Sequence, residues 1–127
     1  MNQQSIRKCL ERIGQALSTN NLRDLADCWE FPDLILSDEG AIALTEADSL
    51  ESLFARAAEG YQSQGLVATR PELERVEQLS EKLTAVEVRW PTFDAAGTEK
   101  ASERSHYILR LGEDGQQRIR VALTKTK

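Results

Sequence analysis

Residues 71–83 read PELERVEQLSEKL, and the choice between helix and strand here decides how many strands the C-terminal half can offer. Leu73, Val76, Leu79 and Leu83 recur at steps of three, three and four, the spacing of one helix face. A proline in a first helical turn is normal, and Glu72, Glu74, Glu77 and Glu81 would form the solvated side. The segments that follow have a different period. From residue 84 the alternation is two: Val86, Val88 and Trp90 interleave with Glu87 and Arg89. After Asp94-Ala95-Ala96-Gly97 the chain returns through Ser105-His106-Tyr107-Ile108-Leu109-Arg110-Leu111 and turns tightly at Gly112-Glu113-Asp114-Gly115. The last strand is expected to face inward with Ile119, Val121 and Leu123 and outward with Arg118, Arg120 and Thr124. Antiparallel strands with one apolar face need a cover.

The N-terminal half supplies it. Ile6, Cys9, Leu10, Ile13, Ala16 and Leu17 make one stripe of a helix over 5–17, opposite Arg7, Lys8, Glu11 and Arg12. Asn21, with Asp24 three residues on, caps a second short helix carrying Leu22, Leu25, Ala26 and Trp29, and Pro32 blocks its continuation. Asp33-Leu34-Ile35-Leu36-Ser37 and Ala41-Ile42-Ala43-Leu44 flank the turn Asp38-Glu39-Gly40 as a β-hairpin. Asp48 and Glu51 resemble a capping box for a third helix whose stripe is Leu50, Leu53, Phe54, Ala57, Ala58 and Tyr61, with Gly65 as its stop. The expected class is α+β, with helices early and strands late.

Composition sets the outer bounds. A chain of 127 residues with 40% apolar and 29% charged residues is expected to form a single domain with one core. Sixteen basic against 21 acidic residues give a net charge of −5, which argues against nucleic acid. No apolar run is long enough to span a membrane, and MNQQSIRKCLERIG has no apolar signal core, so a cytoplasmic protein is expected. Cys9 and Cys28 fall at apolar helix positions and read as buried thiols. Two Cys and one His are too few for a structural zinc site, and no glycine-rich phosphate loop occurs, so neither metal nor cofactor is expected.

The order helix, helix, short hairpin, helix, long meander resembles the nuclear-transport-factor-2-like superfamily, which includes ketosteroid isomerases and SnoaL-like cyclases. Leu25-Ala26-Asp27-Cys28-Trp29-Glu30-Phe31-Pro32, where helix gives way to strand, is one carrier of the likeness. The other is the closing pair Tyr107-Ile108-Leu109-Arg110-Leu111 and Arg118-Ile119-Arg120-Val121 around Gly-Glu-Asp-Gly. The resemblance spans residues 1–127 as a single SnoaL-like domain. It implies a cystatin-like, cone-shaped roll: a curved, mainly antiparallel sheet wrapped around three helices, with a pocket at its mouth. It also implies that 66–79 is one long strand with a turn near 80–82, against the helical spacing; a helix there would leave the sheet one strand short. Family pockets hold small, often apolar molecules, and the outer sheet face often pairs two subunits.

Catalytic sets of the family are not matched. The first helix has no tyrosine for an oxyanion hole, and Val88 and Trp90 bring no acid to the inner face. Asp33, Arg89 and Glu87 imitate an Asp-Arg-Asp set on paper, but Glu87 and Arg89 alternate with apolar residues and should face away. Asp33 at the head of a strand and His106, the one histidine, are the weak acid–base candidates. Parity puts His106 with Ile108 and Arg110 on the outer face unless a bulge intervenes. Trp29, Phe54, Tyr61, Trp90 and Tyr107 are expected to line a pocket. Arg118, Arg120, Lys125 and Lys127, with Arg110, form a basic strip that could pair with Glu87 or Glu103.

Three functions follow as expectations. The first is binding of a small apolar ligand. The second is a small isomerase, dehydratase or cyclase using Asp33 or His106. The third is a protein-interaction module on the outer sheet face. A homodimer is expected through Arg89, His106, Ile108, Arg110, Arg120 and Ala122.

Overall fold

In a computed structural model, which describes residues 3–124, residues 72–78 form a strand. The elements are α1 (Gln3–Thr19), α2 (Leu22–Ala26), β1 (Trp29–Ser37), β2 (Gly40–Leu44), α3 (Ala47–Ser63), β3 (Ala68–Thr69), β4 (Glu72–Gln78), β5 (Leu83–Phe93), β6 (Glu99–Leu111) and β7 (Gln117–Thr124). One seven-stranded sheet runs in the order β2-β1-β7-β6-β5-β3, with β4 also on β5. All pairings are antiparallel except β1 with β7, which is parallel. The class is α+β, a curved open sheet with the helices in the N-terminal half.

The helical spacing of 71–83 has a structural cause. Leu73 pairs with Val88, Arg75 with Glu87 and Val76 with Val86, so Glu74 is an extra residue where the register shifts. Such a bulge brings residues three apart onto the same face, as a helix does. Leu73 and Val76 pack on the core, whereas Leu79 stays exposed in the turn before β5. The expected single strand 66–79 is instead two pieces, broken at Arg70-Pro71. Pro71 has no N–H for a ladder, and α1 presses on the break through Gly14, where an added Cβ would lie 3.1 Å from Pro71 Cδ.

A second bulge corrects the assignment of β7. Ile108 pairs with Val121 and Leu109 with Ile119, so Arg120 is the extra residue. Ile119 and Ala122 are consequently buried, Val121 is half-buried and Leu123 exposed. The inward placement of Val121 and Leu123 and the outward placement of Ala122 are both reversed. Lys125 and Lys127 of the basic strip lie outside the described residues.

The α1 stripe behaves as its spacing requires: Ile6, Cys9, Leu10, Ile13 and Ala16 are buried against the sheet. Each large apolar side chain so buried contributes roughly 1.5–3 kcal/mol. Ser18 near the end of α1 accepts from the Thr69 N–H at 3.0 Å and donates to the Thr69 carbonyl at 3.1 Å, fixing β3 to the helix. Asn21 caps α2 by accepting from Asp24 N–H. Trp29 does not belong to α2 but opens β1. Asp48 is not a cap either: Glu46 holds that position without a side-chain bond, and Asp48 sits in the first turn. Cys9 and Cys28 are free and buried, and burial pushes their thiols up to about 12 and about 11.

Candidate functional site

Of the apolar stripe on α3 only Leu50 is buried. The stripe's C-terminal half faces a cavity of about 380 Å³ instead of packing onto the sheet. Phe54, Ala57, Ala58 and Tyr61 form the helical wall. The inner sheet face supplies Trp29 and Ile35 from β1, Trp90 from β5, Glu103, Ser105 and Tyr107 from β6, and Ala122 from β7. Leu17 and Ser18 close the side where α1 ends.

All five aromatics picked from the sequence stand in this wall. The Trp29 and Phe54 rings meet with centroids 6.0 Å apart, tilted by 59°. Trp90 Nε1 donates to the Tyr107 hydroxyl at 3.0 Å, and burial pushes that hydroxyl up to about 12. The buried Trp29 Nε1 has no hydrogen-bond partner. Beside the Trp90–Tyr107 pair, the Tyr61 hydroxyl of α3 donates to Glu103 Oε2 at 2.9 Å. Burial, and then the Glu103 charge, hold the Tyr61 hydroxyl well above its ordinary range.

Glu103, expected on the outer face as a partner of the basic strip, belongs instead to the cavity wall, and its parity already says so. Counting back from Tyr107 by twos gives Ser105 and Glu103 on the same face, and Glu103 pairs directly with Trp90 in the ladder.

The two acid–base candidates are not brought together. Asp33 follows the inward parity of β1, is 2% exposed, and neither carboxylate oxygen has a hydrogen-bond partner among the described residues. Burial raises it to about 6, opposed by the Arg120 charge. It lies opposite Leu44 in the β1–β2 ladder and is not among the described residues of the cavity wall. His106 is on the outer face, its Nε2 3.9 Å from the Glu87 carboxylate. It borders an open groove with Leu36, Ile108 and Leu123. Ala122, expected on that outer face, belongs to the cavity.

Five arginines, Arg89, Arg104, Arg110, Arg118 and Arg120, already have carboxylates within the chain. Arg89 meets Glu72 at 2.9 Å and also Glu99; Arg104 meets Glu74 at 2.8 Å. Arg110 and Arg120 share Glu30 at 3.0 and 3.4 Å, and Arg118 pairs with Asp114. Among the described residues of the strip, Arg110, Arg118 and Arg120, none pairs with the expected partners Glu87 and Glu103. Among the described residues no group of three His, Cys, Asp or Glu side chains could hold a metal ion, and no helix is long and apolar enough to cross a membrane.

Comparison with known proteins agrees with this architecture. The family described as NTF2-like protein (DUF6841) matches residues 3–127. The chain belongs to this NTF2-like family. No curated protein matches it in sequence. A domain of unknown function with a cystatin-like fold from Nostoc punctiforme superposes with a TM-score of 0.74 at 15% identity, over 98% of this chain and 76% of that one. An NTF-2 like protein of unknown function from Shewanella oneidensis gives 0.74 at 12% identity, over 99% and 100% of the two chains. A ketosteroid isomerase-like protein from Erwinia carotovora atroseptica gives 0.67 at 13%, over 93% and 90%. At these identities the likeness is one of fold, and fold does not carry function. For this NTF2-like chain the function has to be argued from the cavity.

Proposed function

We propose that this NTF2-like chain binds a small, mostly apolar molecule in the cavity between α3 and the inner sheet face. The observation that carries the reading is five aromatic side chains around about 380 Å³ of space that no side chain of the described residues fills. That volume falls within the range of small-molecule sites, roughly 300–1,000 Å³. Few polar groups join the apolar wall, and the Glu103–Tyr61 and Trp90–Tyr107 pairs are fixed points that could orient a ligand. Filling the cavity from α3 tests it. Ala58→Phe is expected to weaken binding of an apolar fluorescent probe at least about tenfold, while far-UV circular dichroism is unchanged. Unaltered probe affinity in the folded variant would sink the reading. Native mass spectrometry of the purified protein then identifies any retained molecule by its added mass.

A second reading concerns assembly. We propose that the outer sheet face pairs with a second copy. The groove beside His106, with half-buried Ile108 and exposed Leu123, favours it, since charged residues elsewhere on that face are already satisfied within the chain.

A further inference from the structure

We propose that the cavity selects an organic cation, an ammonium group carried on an apolar body. This rests on the cavity being a binding site and adds the charge of its ligand. Among the described residues of the wall, Glu103 is the one carboxylate, and no lysine, arginine or histidine stands beside it. The contrast with its neighbours is informative. Glu30, Glu72, Glu74 and Glu99 on the outer face each meet an arginine. Glu103 has the inward parity of β6 but is exposed at the edge of the cavity, where it meets the Tyr61 hydroxyl. A carboxylate offers about four acceptor sites, so one hydrogen bond from Tyr61 leaves acceptors to spare.

The rest of the wall suits the same ligand. Aromatic rings attract a cation to their faces, most strongly where water is excluded, and tryptophan does so best. Trp29 and Trp90, the chain's two tryptophans, both stand in the wall with Phe54, Tyr61 and Tyr107. An ammonium group at Glu103 gains a charge-assisted hydrogen bond while its body covers the rings. A carboxylate ligand finds no cation among the described residues of the wall and is repelled by Glu103. A neutral alcohol keeps the apolar contacts and forgoes the charge.

The two wall tryptophans make their emission a reporter of occupancy. The test titrates the protein with 4-phenylbutylammonium, 4-phenylbutanol and 4-phenylbutyrate, which share a body and differ in the head. The ammonium is expected to bind at least about tenfold more tightly than the alcohol, and the carboxylate more weakly than either. In Glu103→Gln the preference for ammonium over alcohol, read as the ratio of the two affinities, should fall below about threefold. Tyr61→Phe, which leaves the carboxylate, should retain the preference. Equal binding of ammonium and alcohol by the native protein, or an undiminished preference in Glu103→Gln, overturns the cation proposal. Saturable alcohol binding leaves the cavity reading standing in either case. If none of the three probes gives a saturable change, both readings fall together.

Discussion

Asp33 is the residue whose environment is least suited to its charge. Its carboxylate is 2% exposed, lacks hydrogen-bond partners among the described residues and is raised to about 6 from an ordinary value near 3.8. The native state then holds a proton that the unfolded chain has released, so native stability falls as pH rises from about 4 to about 6 and levels off above. Asp33→Asn removes the titrating group. Urea denaturation at pH 8 is expected to show the variant stabilised by roughly 1–3 kcal/mol, with the slope between pH 4 and 6 flattened. A variant less stable than the native protein at pH 8 would mean that the charge has a compensating partner. At this scale parity reads the strand faces correctly where no bulge intervenes, and it fails at Val121, Ala122 and Leu123 of β7. Phe54 and Tyr61 reach the cavity wall by helical spacing and Trp90 and Tyr107 by strand parity, whereas Trp29 reaches it from β1 and not from α2, and Glu103, expected on the outer face, stands next to Trp90 on β6.

Among the elements, two short irregularities account for what periodicity misread. In β4 the bulge between Leu73 and Arg75 gives a strand the apolar spacing of a helix, and in β7 the bulge at Arg120 exchanges the faces of Val121 and Ala122. No residue type marks either bulge, so neither could be seen from the sequence. The stripes of α1 and α3 were legible because a helix keeps its period over 17 residues. The contact between α1 and the β3–β4 break depends on Gly14, where an added Cβ would lie 3.1 Å from Pro71 Cδ and 3.4 Å from Trp90 Cζ3. Gly14→Val is expected to lose roughly 1–3 kcal/mol in denaturant unfolding through overpacking, outweighing the few tenths that valine gains over glycine in helix propensity. A variant as stable as the native protein would show that the proline and tryptophan yield freely.

For the whole molecule, the order of elements was sufficient to suggest the cystatin-like, NTF2-like architecture, because amphipathic helices followed by a meander have few ways to bury both apolar faces. Pairing of two copies is a question at this scale. Sedimentation velocity is expected to give a two-subunit species, converted to one subunit by Ile108→Arg with the circular dichroism kept; a native protein that sediments as a single subunit at micromolar concentration would overturn the pairing. The parallel contact of β1 with β7 has a consequence in time. Ile119 N–H donates to the Cys28 carbonyl, and β7 alone joins the β1–β2 hairpin to the remaining strands. A ribosome that has finished Leu44 must still add the chain up to Gln117 before that strand exists. At roughly 5–20 residues per second, the hairpin waits about 4 to 15 seconds for its neighbour. The helices made before and after it are its company in that interval, and the cell must keep proteases and other nascent chains from its open edge until the seam is closed.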